Sequence, residues 1–189
     1  MYVAVKARRR SALTNYRRRI ALLKSRLDRV VVRKSNSAVY AQIVEFTPGG
    51  DRVISCACSR ELRRYGWSPR CNIPTAYLTG ALLASKSSGR KLWKGLVLDT
   101  GLYRPVRNSV IFAAARGAVD AGLPILSSIE FDEARLRGAH IAAYASALRQ
   151  SGERFKRQFG SYLDAGADPA GIEAAFEAAK GRIRSATTS

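Results

Sequence analysis

Three features of the 189 residues predict an α/β protein with a mixed sheet. β-Branched and aromatic runs joined by short turns cluster between residues 30 and 59. A single apolar run, Gly95-Leu96-Val97-Leu98-Asp99, sits between helical segments. Apolar residues at helical spacing fill most of the remainder.

The elements follow in order. Arg8-Arg9-Arg10 lies in a segment with little to bury, so no fixed shape is expected there before a partner binds. Leu13, Tyr16, Ile20, Leu23 and Leu27 then recur at spacings of three and four, a helical stripe. At about 100° per residue, Arg18 points away from that stripe, while Arg17, Arg19 and Lys24 flank it. The expectation is a stripe docked on protein, with the other faces free to hold phosphates. Val30-Val31-Val32 opens a first strand that continues into Arg33-Lys34-Ser35. Asn36-Ser37 is a turn, Val39 to Phe46 the return strand, and Thr47-Pro48-Gly49-Gly50-Asp51 a second turn. Arg52 to Ser59 completes an antiparallel meander, and the strand pattern stops after Tyr65-Gly66-Trp67.

Pro74 suits the first turn of a helix, where its missing N–H has no partner to lose. The buried face of that helix is Tyr77, Leu78, Ala81, Leu82 and Ala84, ending near Gly89. The strand at Gly95–Asp99 is short, wholly apolar in its middle and flanked by helices, which fits a parallel strand covered on both faces. Asn108 or Ser109 caps the next helix, and its small residues, Ala113, Ala114, Gly117 and Ala121, would let it lie close to a sheet. Gly122-Leu123-Pro124 ends it. Asp132 to Leu148 and Glu153 to Tyr162 read as further helices. Asp168-Pro169 reads as an Asp cap followed by Pro at the first helical position, with Ile172, Ala175, Phe176, Ala179 and Ile183 as the apolar face. Ala186 to Ser189 is expected to fray. The chain therefore divides into a basic arm and helix (1–27), an α/β body (28–149) and a helical extension (150–189).

Charge narrows the function. There are 33 Lys and Arg against 14 Asp and Glu, a formal net charge of +19. Residues 1–27 hold nine of those cations and no acidic residue. So large an excess implies a polyanionic partner, nucleic acid before an anionic membrane surface. No stretch has the roughly 20 apolar residues that a membrane-spanning helix needs. The start is too short and too basic for a secretory segment. Arg outnumbers Lys, and its planar fork matches phosphate bidentately. Aromatic residues lie beside cations: Tyr16 by Arg17 to Arg19, Tyr65 by Arg63 and Arg64, Tyr103 by Arg104 and Arg107. Both side-chain types stack on unpaired bases, which favours structured RNA with loops.

Enzymatic chemistry has less to stand on. No phosphate-loop or dinucleotide-binding glycine pattern occurs. Cys56, Cys58 and Cys71 lack a second pair to complete four metal ligands and read as reduced, buried structural residues. His140 is the only histidine and reads as a satisfied helix residue. A metal-dependent nuclease of ribonuclease-H type would need clustered carboxylates. Glu45, Asp99, Asp120 and Asp132 are the candidates, and no D-x-D or D-x-x-E motif concentrates them. A basic DNA-compacting protein is the other alternative.

Several blocks resemble one family. They are Arg33-Lys34-Ser35-Asn36 with Ala41-Gln42, Tyr65-Gly66-Trp67, and Asn72-Ile73-Pro74-Thr75-Ala76-Tyr77-Leu78-Thr79-Gly80. Leu98-Asp99-Thr100-Gly101-Leu102, Gly117-Ala118-Val119-Asp120-Ala121-Gly122-Leu123 and Arg137-Gly138-Ala139-His140-Ile141-Ala142-Ala143-Tyr144 follow. In this order they are similar to the 5S-rRNA-binding protein of the large ribosomal subunit, protein eighteen in bacteria and archaea and protein five in eukaryotes. Phe155-Lys156-Arg157-Gln158-Phe159 and the helix after Pro169 resemble the archaeal and eukaryotic branch. The longer eukaryotic insertion and C-terminus are missing, so the chain looks archaeal.

The resemblance implies a three-layer α/β/α domain with a mixed sheet, related in topology to ribonuclease H but without its catalytic carboxylates, and no enzymatic activity or cofactor. It implies a structural protein of the cytoplasmic ribosome that holds 5S rRNA in the central protuberance, with 23S rRNA and neighbouring large-subunit proteins as further partners and no membrane. By position, Arg33, Lys34, Asn36 and Gln42 match the family's RNA-facing strands. Arg8, Arg9, Arg10, Tyr16, Arg17, Arg18, Arg19, Lys24 and Arg26 match as a basic region.

Overall fold

The computed structural model describes residues 7–89 and 94–188. Two hairpins build the sheet. Strand β1 (Asp28–Lys34) and β2 (Val39–Thr47) are joined by a turn in which the Ser35 N–H donates to the Ala38 carbonyl at 2.8 Å. Strand β3 (Gly50–Cys58) pairs antiparallel with β2. The fourth strand, β4 (Leu96–Asp99), lies parallel to β1, so the order is β3-β2-β1-β4. A parallel partner needs a crossover, and the helix between β3 and β4 supplies it. The meander and the parallel strand are those the sequence predicts. The strand pattern ends earlier than expected, however, because Ser59–Tyr65 forms a 3-10 helix. The Glu61 carboxylate accepts from the Cys58 N–H at 2.9 Å and holds its start.

Alternation gives the sheet two unlike faces. Val30, Val32, Ala41, Ile43, Ala57 and Leu96 point to one side and are all but inaccessible to solvent. Helices α3 (Ile73–Ser87) and α4 (Val110–Asp120) cover that side. Asn72 caps α3, its side chain accepting from the Thr75 N–H at 3.1 Å, with Pro74 in the first turn. The small residues of α4 bring it close to α3 more than to the sheet. Gly80 and Gly117 face each other across the crossing. A Cβ on Gly80 would fall inside the contact sphere of the Ala114 carbonyl oxygen, and one on Gly117 inside that of Tyr77. On the opposite side of the sheet lies α2 (Tyr16–Leu23), preceded by a single turn, α1 (Ala7–Arg10). Helices thus flank the sheet on both sides, as a three-layer α/β/α protein requires.

The later helices depart from expectation in three places. Residues 132–148 form two helices, α5 (Glu133–Arg137) and α6 (Ala139–Leu148), because Gly138 adopts φ 97° between them. After α7 (Gly152–Leu163), Asp168-Pro169 does not begin a helix. The Asp168 carboxylate accepts from the Ala170 N–H at 3.0 Å, which makes a turn, and α8 (Ile172–Thr188) starts later. Its helical span reaches Thr188, where fraying was expected. Ala175 is exposed, but Ile172, Phe176, Ala179 and Ile183 are buried. Phe176 packs at 6.3 Å from the Trp67 ring and 5.3 Å from Tyr77, which fixes α8 to α3.

The N-terminal segment also differs. Ala7–Arg10 is a helical turn rather than shapeless chain. The helix that follows has eight residues, not fifteen. Asn15 caps it at one end, and at the other the Ser25 hydroxyl donates to the Leu22 carbonyl at 2.6 Å while Arg26 turns at φ 54°. Leu13 and Ile20 are 60% and 54% exposed, while Tyr16, Leu23 and Leu27 are half-buried, so the apolar stripe docks only in part. The cysteines are not buried either: Cys56 is exposed, Cys58 and Cys71 half-buried, all as free thiols. Cys56 and Cys58 lie on the sheet's open side, opposite Gln42 and Tyr40, and Cys71 packs at the edge of the core just before α3. His140 is an exposed residue of α6.

The helix crossing yields a prediction. Gly117→Ala should cost about 3 kcal/mol, because the added methyl meets backbone that cannot step aside. Ala178→Gly on the exposed side of α8 is the control for helix propensity, worth about 1 kcal/mol. Urea unfolding of each variant checks the difference; equal losses would mean the crossing is not close-packed.

Candidate nucleic-acid interface

The open face of the sheet carries charge where the other carries core. Cross-strand partners share a face, so Arg29, Val31 and Arg33 of β1 stand with Gln42 and Val44 of β2 and with Asp99 of β4. On β3 the alternation is broken once. Ile43 pairs with Ser55 and Val44 with Val53, leaving Ile54 as an extra residue. Such a bulge reverses the facing of the side chains on its two sides relative to an unbroken strand, here those of residues 50–53 against those of 55–58. Asp51 and Val53 therefore turn to the open side, and Asp51 reaches Arg29. Without that bulge Asp51 would face α3.

Arg29 is 2% exposed, a cation inside the sheet. Its Nη1 donates to Asp99 Oδ2 at 3.1 Å. Its Nη2 lies 2.8 Å from Asp51 Oδ2, an ion pair off the hydrogen-bond axis, and its Nε has no hydrogen-bond partner among the described residues. Asp99 serves a second arginine: Arg33 Nη2 donates to Asp99 Oδ1 at 3.1 Å and Arg33 Nη1 to the Asp99 carbonyl at 2.8 Å. The Gly101 N–H donates to the same carboxylate at 2.8 Å, in a turn where Gly101 has φ 61° and a Cβ would press on the Arg33 guanidinium. Burial pushes the Asp99 carboxyl up. The Arg33 charge, the Gly101 N–H and Arg29 outweigh burial and hold it below the usual carboxylate range.

Helix α2 is attached to this network by arginines. Arg18 Nη1 donates to the Gly101 carbonyl at 3.1 Å, and Arg19 Nη2 to Asp51 Oδ2 at 2.9 Å. Arg18, expected to point away from the body, is thus one of its anchors. Between α2 and the sheet runs a cleft of about 430 Å³, lined by Leu22, Val31, Gln42 and Val53 among others.

The sequence-predicted site residues fall into three groups. Arg18, Arg19 and Arg33 are half-buried and bound to protein oxygens. Tyr16 is half-buried at the start of α2, and Gln42 half-buried in the cleft, its amide 3.6 Å from Cys56 Sγ. Arg10, Arg17, Lys24, Arg26, Lys34 and Asn36 are exposed. Lys34 Nζ stands 5.7 Å from the Tyr103 ring, whose hydroxyl donates to the Lys34 carbonyl at 2.8 Å. The side chains of Arg8 and Arg9 lie outside the described ones. Sequence reasoning missed Arg29 and Asp51. The signal for Arg29 is the alternation Arg29-Val31-Arg33 against Val30-Val32; the bulge that turns Asp51 leaves none.

The carboxylates weighed for metal chemistry have separate partners. Glu45 pairs with Arg52 at 2.8 Å. Asp120 pairs with Arg116 at 3.0 Å and accepts from the Tyr77 hydroxyl at 2.9 Å. Asp132 accepts from the Ala134 N–H at 3.0 Å and caps α5. Among the described residues, no group of three His, Cys, Asp or Glu could hold a metal ion, and no helix is long and apolar enough to cross a membrane.

Comparison with known proteins finds a match to the family described as ribosomal large subunit proteins 60S L5 and 50S L18, over residues 2–95. The large ribosomal subunit protein uL18 of Korarchaeum cryptofilum is 44% identical over 179 residues, 93% of this chain and 91% of that protein. The uL18 of Thermofilum pendens is 43% identical over 183 residues, 95% of this chain and 93% of its own length.

The network predicts a dependence on acid. The stability that Asp99 contributes is present in full above its unfolded pKa, near the ordinary 3.8, and is lost as pH falls through the lower folded value. Asp99→Asn should cost about 3–5 kcal/mol at neutral pH, since it leaves buried Arg29 short of a counter-charge. It should also flatten the loss of stability below about pH 4. Thermal unfolding of both proteins between pH 2 and pH 7 measures this; parallel curves would remove Asp99 from the network.

Proposed function

The chain belongs to the family of ribosomal large subunit proteins 60S L5 and 50S L18, in its archaeal form, and from that premise we propose that it grips 5S rRNA with helix α2 and the open face of its sheet. Membership makes it a structural constituent of the large ribosomal subunit, at work on cytoplasmic ribosomes with ribosomal RNA and ribosomal proteins as partners. The finer reading is ours. It holds 5S rRNA in the central protuberance, touches 23S rRNA and neighbouring subunit proteins, and catalyses nothing. The arm (1–27) and the body (28–149) meet the 5S rRNA, and the helical extension (150–189) packs behind them.

The observation that carries this reading is the division of labour along α2 and the turn after it. Arg18 and Arg19 are committed to the body, while Arg17, Lys24 and Arg26 are exposed beside them. Lys34 and Asn36 continue the exposed polar surface at the end of the first hairpin, next to Tyr103. Cations spaced along a rigid edge, with Tyr side chains for stacking, suit folded RNA with unpaired bases. Exposed Leu13 and Ile20 then face the RNA or a neighbouring protein rather than the core of this chain.

Neutralising the outward set tests it. Arg17→Gln, Lys24→Gln and Arg26→Gln together should leave the fold intact and weaken 5S rRNA binding. The slope of log K against log salt should become shallower by roughly 2–3 units, because each lost phosphate contact removes about 0.7–0.9. A gel-shift series across salt measures both. An unchanged affinity would place the RNA elsewhere on the protein. Magnesium-dependent cleavage of the RNA would favour a nuclease, and equal competition by duplex DNA of the same length a DNA-compacting protein.

A further inference from the structure

We propose that Asp51 is a positioning residue for RNA binding: a carboxylate set within the basic face that raises RNA affinity by clamping α2 through Arg19. The proposal rests on the 5S rRNA reading above and deepens it.

The clamp is visible as a chain of contacts. Asp51 Oδ2 is 2.9 Å from Arg19 of α2 and 2.8 Å from buried Arg29 of β1. Arg29 reaches Asp99, and Asp99 reaches Arg33 and the Gly101 N–H. The Gly101 carbonyl returns to α2 through Arg18. The helix is thereby tied at two points on opposite borders of the cleft, at β3 by Arg19 and after β4 by Arg18. The rest of its attachment is shallow: Tyr16, Leu22 and Leu23 are half-buried. None of its residues is fully buried, and Ile20 is more than half exposed. A helix of eight residues is too short to persist alone in water. These two arginines are the ion-pair and hydrogen-bond ties that set its place over the sheet.

Elementary electrostatics makes the opposite forecast, and this gives the proposal its test. A carboxylate beside a phosphate-binding surface repels phosphate. If Asp51 were only a charge, Asp51→Asn would tighten RNA binding and steepen the salt slope. If it is a clamp, Asp51→Asn weakens binding. A helix docked only a tenth of the time lowers apparent affinity about tenfold, since only the docked fraction is competent. The slope stays nearly the same, because the phosphate contacts of the bound state are the same ones.

The experiment uses the full chain with purified 5S rRNA over a salt series, with circular dichroism as the folding control. Asp51→Asn should bind about tenfold more weakly at an unchanged slope. Asp51→Glu, which keeps the charge and the reach to Arg19, should restore most of the affinity. Amide exchange of residues 18–23 in the free protein should speed up in Asp51→Asn and slow again in Asp51→Glu. If Asp51→Asn fails to fold for want of a counter-charge on Arg29, Arg19→Gln tests the same clamp with Asp51 left in place. It should weaken binding at an unchanged slope, whereas Arg17→Gln makes the slope shallower by about 0.7–0.9. A folded Asp51→Asn that binds as well as the parent, or better, overturns the proposal. So does an Arg19→Gln that shifts the slope as Arg17→Gln does, for Arg19 is then a phosphate ligand. A parent protein that binds no 5S rRNA overturns the reading beneath the proposal and this role with it. That failure shows in the parent, not in the variants.

Discussion

A guanidinium buried in a β-sheet must be answered by carboxylates, and the open face of this protein is arranged around that demand. Arg29 sits in the middle of the sheet, 2% exposed. An uncompensated charge there would cost several kcal/mol. Two aspartates answer it from opposite sides, Asp99 from the parallel edge strand and Asp51 from the far hairpin. Each depends on a feature of the backbone. Asp99 requires β4 to lie beside β1 in the observed register, with Val31 opposite Asp99. Asp51 requires the bulge at Ile54, which turns the start of β3 over. The acids then have capacity to spare, and the cations that take it up, Arg33 and Arg19, reach the surface.

The other face of the same strands supplies the rigidity that this arrangement needs. Val30, Val32 and Ile43 are closed in by α3 and α4, which approach until Gly80 and Gly117 leave no space for a methyl group. Phe176 ties α8 behind α3 through Trp67 and Tyr77. A sheet held so firmly on one side can present fixed charges on the other. Binding a polyanion on pre-placed cations costs less side-chain ordering than binding it on free ones.

Much of this was legible in the sequence. The meander, the parallel strand, the Asn72-capped helix and the apolar face of α8 all carry local signals, because turn residues and periodicity are local. The misses share a cause. Gly138 breaks a helix whose periodicity runs through it, and Asp168-Pro169 satisfies an amide in a turn rather than at a helix start. The stripe from Leu13 to Leu27 reads as a docking face by period alone, yet the helix is held by Arg18 and Arg19, whose partners lie 32 and more residues away. Periodicity reports how a segment can bury apolar surface; it is silent on ion pairs between distant strands. The basic composition pointed to RNA, but it could not separate cations that hold the protein together from those left for phosphate. Arg18, Arg19 and Arg33 are bound to protein oxygens, whereas Arg17, Lys24 and Arg26 are exposed.

The central claim is that the RNA lies on α2 and the first hairpin, over the sheet's charged face. Amide exchange of the intact chain, free and saturated with 5S rRNA, tests it most directly. The account predicts new protection across Tyr16–Leu23 and the turn between β1 and β2, with α6 and α7 unchanged. Protection confined to α6–α8, with α2 exchanging as in the free protein, would contradict it.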